Sequence, residues 1–122
     1  VHDAARPLAT PALYRAVVDA LAADGAVGAI PGVAVPDTIK QTADGAVVAT
    51  LDRTTLVAVQ TPQAFAADAL RVAHEGAPEA TDDAALVEAR GGRVVVVPGE
   101  PSNRKLTTTA DLDAMRAELA GA

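Results

Sequence analysis

The chain is predicted to fold as an α/β domain on a parallel sheet. A strand end at Val1, a helix and then a short apolar strand follow one another in βαβ rhythm. Four consecutive valines, Val94 to Val97, read as a strand covered on both faces and therefore central. A polar, β-branched stretch around Asp44-Gly45 adds a two-stranded arm.

The first residues, Val-His-Asp-Ala-Ala-Arg-Pro, read as a strand running into a loop. No initiator Met precedes them, and the expectation is that a natural N-terminal portion has been cut away. Thr10-Pro11 is a helix start, because threonine caps free N–H groups and proline at the first position has no N–H to leave unpaired. Leu13, Val17, Val18 and Leu21 then recur at helical spacing until Asp24-Gly25. Ala26 to Ile30 is a buried strand bounded by Gly and Pro. The arm pairs Asp37 to Thr42 with Ala46 to Leu51 across Asp44-Gly45 and spans about residues 36–52. An isolated hairpin is marginal in water, so its apolar side must rest on something, a second subunit being one such surface. Phe65 to His74 is predicted helical, with Leu70 and Val72 among alanines. Thr81-Asp82-Asp83 caps the next helix, with Ala85, Leu86 and Ala89 inward and Gly91-Gly92 as its end. After the valine strand, Pro98 to Lys105 is an irregular loop. Thr109 with Asp111 starts a last helix through Leu112, Met115 and Leu119 to Gly121.

At 122 residues the chain suits one small domain, or part of one. Half the residues are apolar but only 2% are aromatic, so the core is thin and built from Ala, Val and Leu. A formal charge of −6 opposes a nucleic-acid surface, which would need clustered Lys and Arg. The lack of cysteine removes disulfide scaffolds, thiolate zinc sites and cysteine nucleophiles. Apolar runs are broken well before the ~20 residues of a membrane span, and no signal-peptide pattern is present. The expectation is a soluble, cytoplasmic protein with neither a nucleic-acid nor a membrane partner.

Asp3 lies where a strand should end, and open α/β sheets bind ligands at the carboxyl ends of their strands. That position suits a metal ligand, but a lone Asp after a strand is more often a cap or turn former. Arg6 is either a ligand group or Asp3's ion-pair partner. Arg53, at the foot of the arm, and Arg104-Lys105, after the valine strand, are scarce cations in an acidic chain. They can hold phosphate or simply be solvated charge. Thr61-Pro62-Gln63 and Thr107-Thr108-Thr109 offer groups that bind a ligand or cap turns. One serine and two histidines form no hydrolase pattern, and no P-loop or dinucleotide fingerprint occurs. Asp82-Asp83, behind Thr81, is better read as a helix cap than as a carboxylate pair.

Six motifs occur here in the order seen in 2-C-methyl-D-erythritol 4-phosphate cytidylyltransferases. They are His2-Asp3-Ala4-Ala5-Arg6-Pro7, Pro36-Asp37-Thr38, Asp52-Arg53, Gln60-Thr61-Pro62-Gln63-Ala64-Phe65, Thr81-Asp82-Asp83-Ala84 and Asn103-Arg104-Lys105-Leu106-Thr107. The chain thus resembles that family over essentially its whole length. The resemblance implies that residues 1–122 are the C-terminal half of a Rossmann-like nucleotidyltransferase domain whose projecting β-arm embraces a partner in a homodimer. It implies a reaction between CTP and 2-C-methyl-D-erythritol 4-phosphate, with Mg²⁺ as cofactor. Asp3 is then similar to the metal-binding aspartate, and Arg6 to a group of the sugar-phosphate pocket, which Thr61 also lines. Thr38 and Arg53 resemble groups that reach the sugar phosphate across the dimer interface. Lys105 resembles the lysine that positions the attacking phosphate, and with Arg53 it is implied to be catalytic. Arg104 stands where an isoleucine is usual. The family's glycine-rich phosphate loop and cytosine-recognising segment precede the point matched by Val1, so this chain alone is expected to be inactive. Two alternatives are a ribitol 5-phosphate cytidylyltransferase and a non-catalytic dimerisation fragment.

Overall fold

A computed structural model describes all residues, 1–122. Strand β1, Ala26–Ala34, is the spine of a four-stranded sheet. Along one edge it pairs in parallel with β6, Arg93–Pro98, from Ala26↔Arg93 to Gly32↔Pro98. Gly28 and Gly32 take part in that ladder and also pair with β5, Ala64–Phe65, and β4, Val57–Val59. A residue has only two edges, so β4 and β5 lie end to end on the other one, both antiparallel to β1. The sheet is therefore mixed, with one parallel pair, where the sequence suggested a parallel sheet.

Strand β1 also runs past its expected end at Ile30. Pro31 removes one donor from the ladder, but its carbonyl accepts from the Gln60 N–H at 2.9 Å and pairing continues. Val1 is not in a strand, although Val1 and Gln63 exchange two 2.8 Å bonds, the reciprocal pattern of an antiparallel pair. The valine strand β6 pairs only with β1, and Val96 is 52% exposed. Among residues 1–122 it is an edge, not a centre, because no second strand lies alongside it.

Helix α1, Pro11–Asp19, starts as read: the Thr10 side chain accepts from the Leu13 N–H, and Leu13 and Val17 are buried. Val18 is exposed, being off that stripe. Helix α2, Ala67–Ala73, begins later than expected because Phe65 belongs to β5. There Phe65 lies over Gly28, where an added Cβ would come within 2.9 Å of its ring. Helix α3, Asp83–Ala89, is capped by Asp82, which accepts from the Ala85 N–H at 2.8 Å. It buries Ala84, Leu86 and Val87 rather than Ala85 and Ala89, since Val87 carries the larger apolar area and shares a face with Ala84. Ala73, Leu86 and Val87 form the small buried core, flanked by Val27, Phe65, Leu70 and Val94.

The arm is a two-stranded sheet of its own, β2 Ile39–Ala43 with β3 Ala46–Leu51. Asp44 and Gly45 both have positive φ, 51° and 78°, as a two-residue turn between twisted strands requires. Val47 and Val48 are 59% and 58% exposed, so nothing within the chain covers the arm's apolar side.

Helix α4, Thr109–Gly121, is capped by Thr108 rather than Thr109. Thr108 and Asp111 form a capping box, which puts Met115 in the interior while Leu119 stays 63% exposed. The Asp111 carboxylate accepts from the Thr107 hydroxyl and from the Thr107 and Thr108 N–H groups, at 2.8 to 3.0 Å. These bonds, the Thr107 hydroxyl first, lower its pKa from 3.8 to about 2. The ionised cap therefore stabilises the helix start above the unfolded value, and that contribution is lost as pH falls from about 4 through about 2. Amide shifts of Thr107 and Thr108 followed by NMR should titrate in that window and become flat in Asp111→Asn. Titration persisting in the variant would assign it to another group.

Candidate functional site

Beyond the carboxyl end of β6 the chain turns at Gly99 and runs through residues 99–106 over two other loops, 1–7 and 60–63. Backbone bonds set the frame: the Gly99 N–H donates to the Gly32 carbonyl at 2.8 Å and the Leu106 N–H to the Ala5 carbonyl at 2.7 Å. Buried Gln60 ties the third segment in, its Nε2 donating to the Glu100 carbonyl and its Oε1 accepting from the Glu100 N–H. Asn103, fully buried, donates through Nδ2 to the Thr61 carbonyl at 2.8 Å. The Gln60 amide is matched at both its donor and its acceptor, whereas Asn103 is matched through Nδ2 and its buried Oδ1 has no partner. A buried donor is costly to leave unmatched, so these bonds tie the loops together.

On this frame Asp3, Arg6, Thr61 and Lys105 come together. Lys105 Nζ lies 3.3 Å from Asp3 Oδ2, and both side chains stay partly exposed. The Ala5 N–H donates to Asp3 Oδ1 at 3.0 Å and is the main cause holding the Asp3 carboxyl below its ordinary range. Lys105 and then Arg6 add to that effect, while partial desolvation opposes it. Asp3 is thus ionised at neutral pH. Arg6 donates through Nη1 to the Asn103 carbonyl at 2.8 Å and through Nη2 to the Val59 carbonyl at 3.4 Å. Its buried Nε has no partner. Arg6 is not the ion-pair partner of Asp3; Lys105 is.

Arg104, beside Lys105, turns away to Glu118 of α4 at 2.6 Å. Its charge is therefore directed at the last helix, and Lys105 is the cation of the loop that faces Asp3. Thr38 and Arg53 are not part of the cluster. Arg53 donates to the Pro36 carbonyl at 2.6 Å, closing the base of the arm, and Thr38 is exposed. No hydrogen bond or ion pair joins either of them to Asp3, Arg6 or Lys105.

The chemistry of the cluster fits phosphate. Lys105 has three donors, of which Asp3 takes one, and the Arg6 fork keeps Nη hydrogens beyond the two directed at carbonyls. Asp3 fits Mg²⁺ as a single ionised carboxylate, the kind of donor that at phosphoryl sites shares the ion with water and substrate oxygens. No group of three or more His, Asp or Glu gathers anywhere to cage a metal with protein ligands alone. The largest cavity, about 450 Å³, lies elsewhere: its lining includes His2, Tyr14, Val17, Leu21 and Phe65 but none of Asp3, Arg6, Thr61 and Lys105.

The sequence by itself points to no role for His2, Gln60 or Glu100, nor for Asn103 on its own. His2, Gln60 and Asn103 stood inside the ordered motifs, but a polar side chain that joins loops 40 to 59 positions apart has no local pattern.

The model of the 2-C-methyl-D-erythritol 4-phosphate cytidylyltransferase family matches residues 1–120. A protein of that name from Rubrobacter xylanophilus is 52% identical over 124 residues, covering 98% of this chain and 53% of its own length. A "Bifunctional enzyme IspD/IspF" from Nitratidesulfovibrio vulgaris is 54% identical over 116 residues, covering 92% of this chain and 29% of its own. The crystal structure of the Thermus thermophilus 2-C-methyl-D-erythritol 4-phosphate cytidylyltransferase superposes with a TM-score of 0.85 at 37% identity. That match covers 98% of this chain and 60% of the solved one. The chain thus spans about half the length of the single-function relative and under a third of the bifunctional one.

Proposed function

The chain belongs to the 2-C-methyl-D-erythritol 4-phosphate cytidylyltransferase family, and from that premise we propose that the full-length protein transfers CMP from CTP to 2-C-methyl-D-erythritol 4-phosphate. A phosphate oxygen of the acceptor bonds to the α-phosphorus of CTP, and the bond from that phosphorus to the bridging oxygen breaks, releasing pyrophosphate. The observation that carries this reading is the Asp3–Lys105 pair, a carboxylate and a cation with unspent donors held at the carboxyl end of a parallel strand.

Such a transfer requires positioning and charge neutralisation, without covalent help from the protein. Lys105 supplies a point charge toward the attacking phosphate, and its contact with Asp3 limits where that charge can go. Arg6 turns its remaining guanidinium hydrogens to the acceptor's phosphate, its fork being set by two main-chain carbonyls. Asp3 would hold Mg²⁺, which when bound neutralises charge on phosphoryl oxygens. Thr61 lines the same pocket.

The protein acts as a homodimer in this reading. The arm's exposed Val47 and Val48 support it, since a two-stranded sheet of this kind needs a surface to rest on. Thr38 and Arg53 are then lent to the partner's sugar-phosphate site. No helix is long and apolar enough to cross a membrane, and the cytoplasm is the proposed location.

Pyrophosphate release by the full-length protein, with CTP and either 2-C-methyl-D-erythritol 4-phosphate or ribitol 5-phosphate, tests the reading. A preference for ribitol 5-phosphate would overturn the acceptor, and no turnover with either would overturn the activity. The 122 residues by themselves contain no glycine-rich phosphate loop, so expressed alone they should be inactive and bind CTP weakly. Calorimetry with CTP and Mg²⁺ checks this, and micromolar affinity would locate the nucleotide site within these residues.

A further inference from the structure

His2 links the Arg6 end of the loop that carries Asp3 to Thr61 on a second loop, and Thr61 in turn holds the Asp3 main chain. Its Nε2 lies 2.9 Å from the Arg6 carbonyl oxygen, and its Nδ1 lies 3.0 Å from Thr61 Oγ1. A carbonyl can only accept, so Nε2 must carry the proton. In the neutral ring Nδ1 is then an acceptor, and the Thr61 hydroxyl must donate to it. The same hydroxyl oxygen accepts from the Asp3 N–H at 3.0 Å. The bonds therefore run in one direction, from Asp3 N–H to Thr61 to His2 to the Arg6 carbonyl. Tyr14 of α1 fixes the ring plane from outside by an edge contact, with centroids 5.3 Å apart at 61°.

We propose that His2 is a positioning residue of this site, which through a single tautomer sets the main chain of Asp3 against that of Arg6 and commits the Thr61 hydroxyl to the loop rather than to substrate. In this role His2 makes no contact with reactants. Its effect is on distance: Asp3 is set by Thr61 and by the Ala5 N–H, Arg6 by His2 and by the Asn103 carbonyl, and Lys105 follows Asp3. Loss of the ring would free the loop that carries Asp3 and Arg6 without removing any substrate-facing group, so those groups remain but their spacing relaxes. A small misplacement of groups that must act together costs turnover more than binding.

The kinetic test rests on the proposed function; the spectroscopic one does not. In full-length protein labelled with ¹⁵N histidine, His2 should show a protonated Nε2 and an unprotonated, hydrogen-bonded Nδ1. A protonated Nδ1 in the neutral ring overturns the proposal whatever the enzyme does. In the cytidylyl transfer assay, His2→Ala should lower kcat by roughly 10-fold to 100-fold with KM for both substrates nearly unchanged. His2→Asn returns an acceptor near the Nδ1 position and His2→Gln a donor near Nε2, so each should recover part of the loss. If Ala, Asn and Gln are equally impaired, or if KM rises while kcat holds, the positioning role fails. Thr61→Val combined with His2→Ala should be little worse than the poorer single variant, since both break one chain of bonds. Losses that multiply would mean that the two residues act independently and would sink the proposal. An inactive wild type would overturn the proposed function alone, with the tautomer still deciding this inference.

Discussion

Asp3→Asn in the full-length protein is expected to lower cytidylyl transfer by about 10²-fold to 10³-fold, the scale on which loss of one charge-stabilising group acts, and to shift the Mg²⁺ requirement upward. The substitution separates two jobs that Asp3 performs together. Its Oδ1 accepts the Ala5 N–H and shapes the turn, a job asparagine does nearly as well. Its charge faces Lys105 across 3.3 Å and is the donor proposed for Mg²⁺, and a neutral amide is a poor ligand for a hard cation. With the turn kept, the loss in the variant reports on the charge. Raised Mg²⁺ should then restore part of the rate, as read from initial velocities across a Mg²⁺ titration. A variant as impaired as predicted but with wild-type Mg²⁺ dependence would make Asp3 an anchor for Lys105 instead of a metal ligand. A variant with full activity would leave it only a turn former.

Mixing two inactive full-length variants, Arg53→Ala and Asp3→Asn, should restore about a quarter of wild-type activity once subunits exchange. At the base of the arm, Arg53 is held by the Pro36 carbonyl of its own chain and meets nothing in the Asp3 cluster. If the arm lies on a second subunit, Arg53 serves that subunit's site. In a mixed dimer, the site built on the Arg53→Ala chain keeps its own Asp3 and receives an intact Arg53 from its partner, while the other site carries both lesions. Random pairing makes half the dimers mixed, each with one good site in two. Were Arg53 to act within its own chain, every site of the mixed dimer would carry one lesion and mixing would recover nothing. Differently tagged chains establish exchange independently. Because Arg53→Ala also removes the Pro36 contact, the variant's mass in solution must show that it still dimerises before its inactivity is assigned to the missing guanidinium.

Residues whose structural signal is local were legible in the sequence. Thr10-Pro11 starts a helix and Asp44-Gly45 turns a hairpin because cap and turn chemistry acts over two to four positions. The ordered motifs carried the family, and with it the list of candidate site residues. What the sequence could not decide depends on partners far along the chain. Strand β1 continues through Pro31 because Gln60 arrives to use its carbonyl, and the valine strand is an edge because no second neighbour lies beside it among these residues. Spacing left Arg6, three residues from Asp3, open as a ligand group or as its ion-pair partner; Lys105 takes the partner's place and Arg6 reaches Asn103, 97 positions on. His2 showed no sign of a role, since its two bonds acquire meaning only when Thr61, 59 positions away, is brought against it. Periodicity and capping report which surface of a segment is buried. Which loops meet, and therefore which ionised or hydrogen-bonding groups face one another, is set by sheet pairing and by the buried amides of Gln60 and Asn103 that lock the loops together.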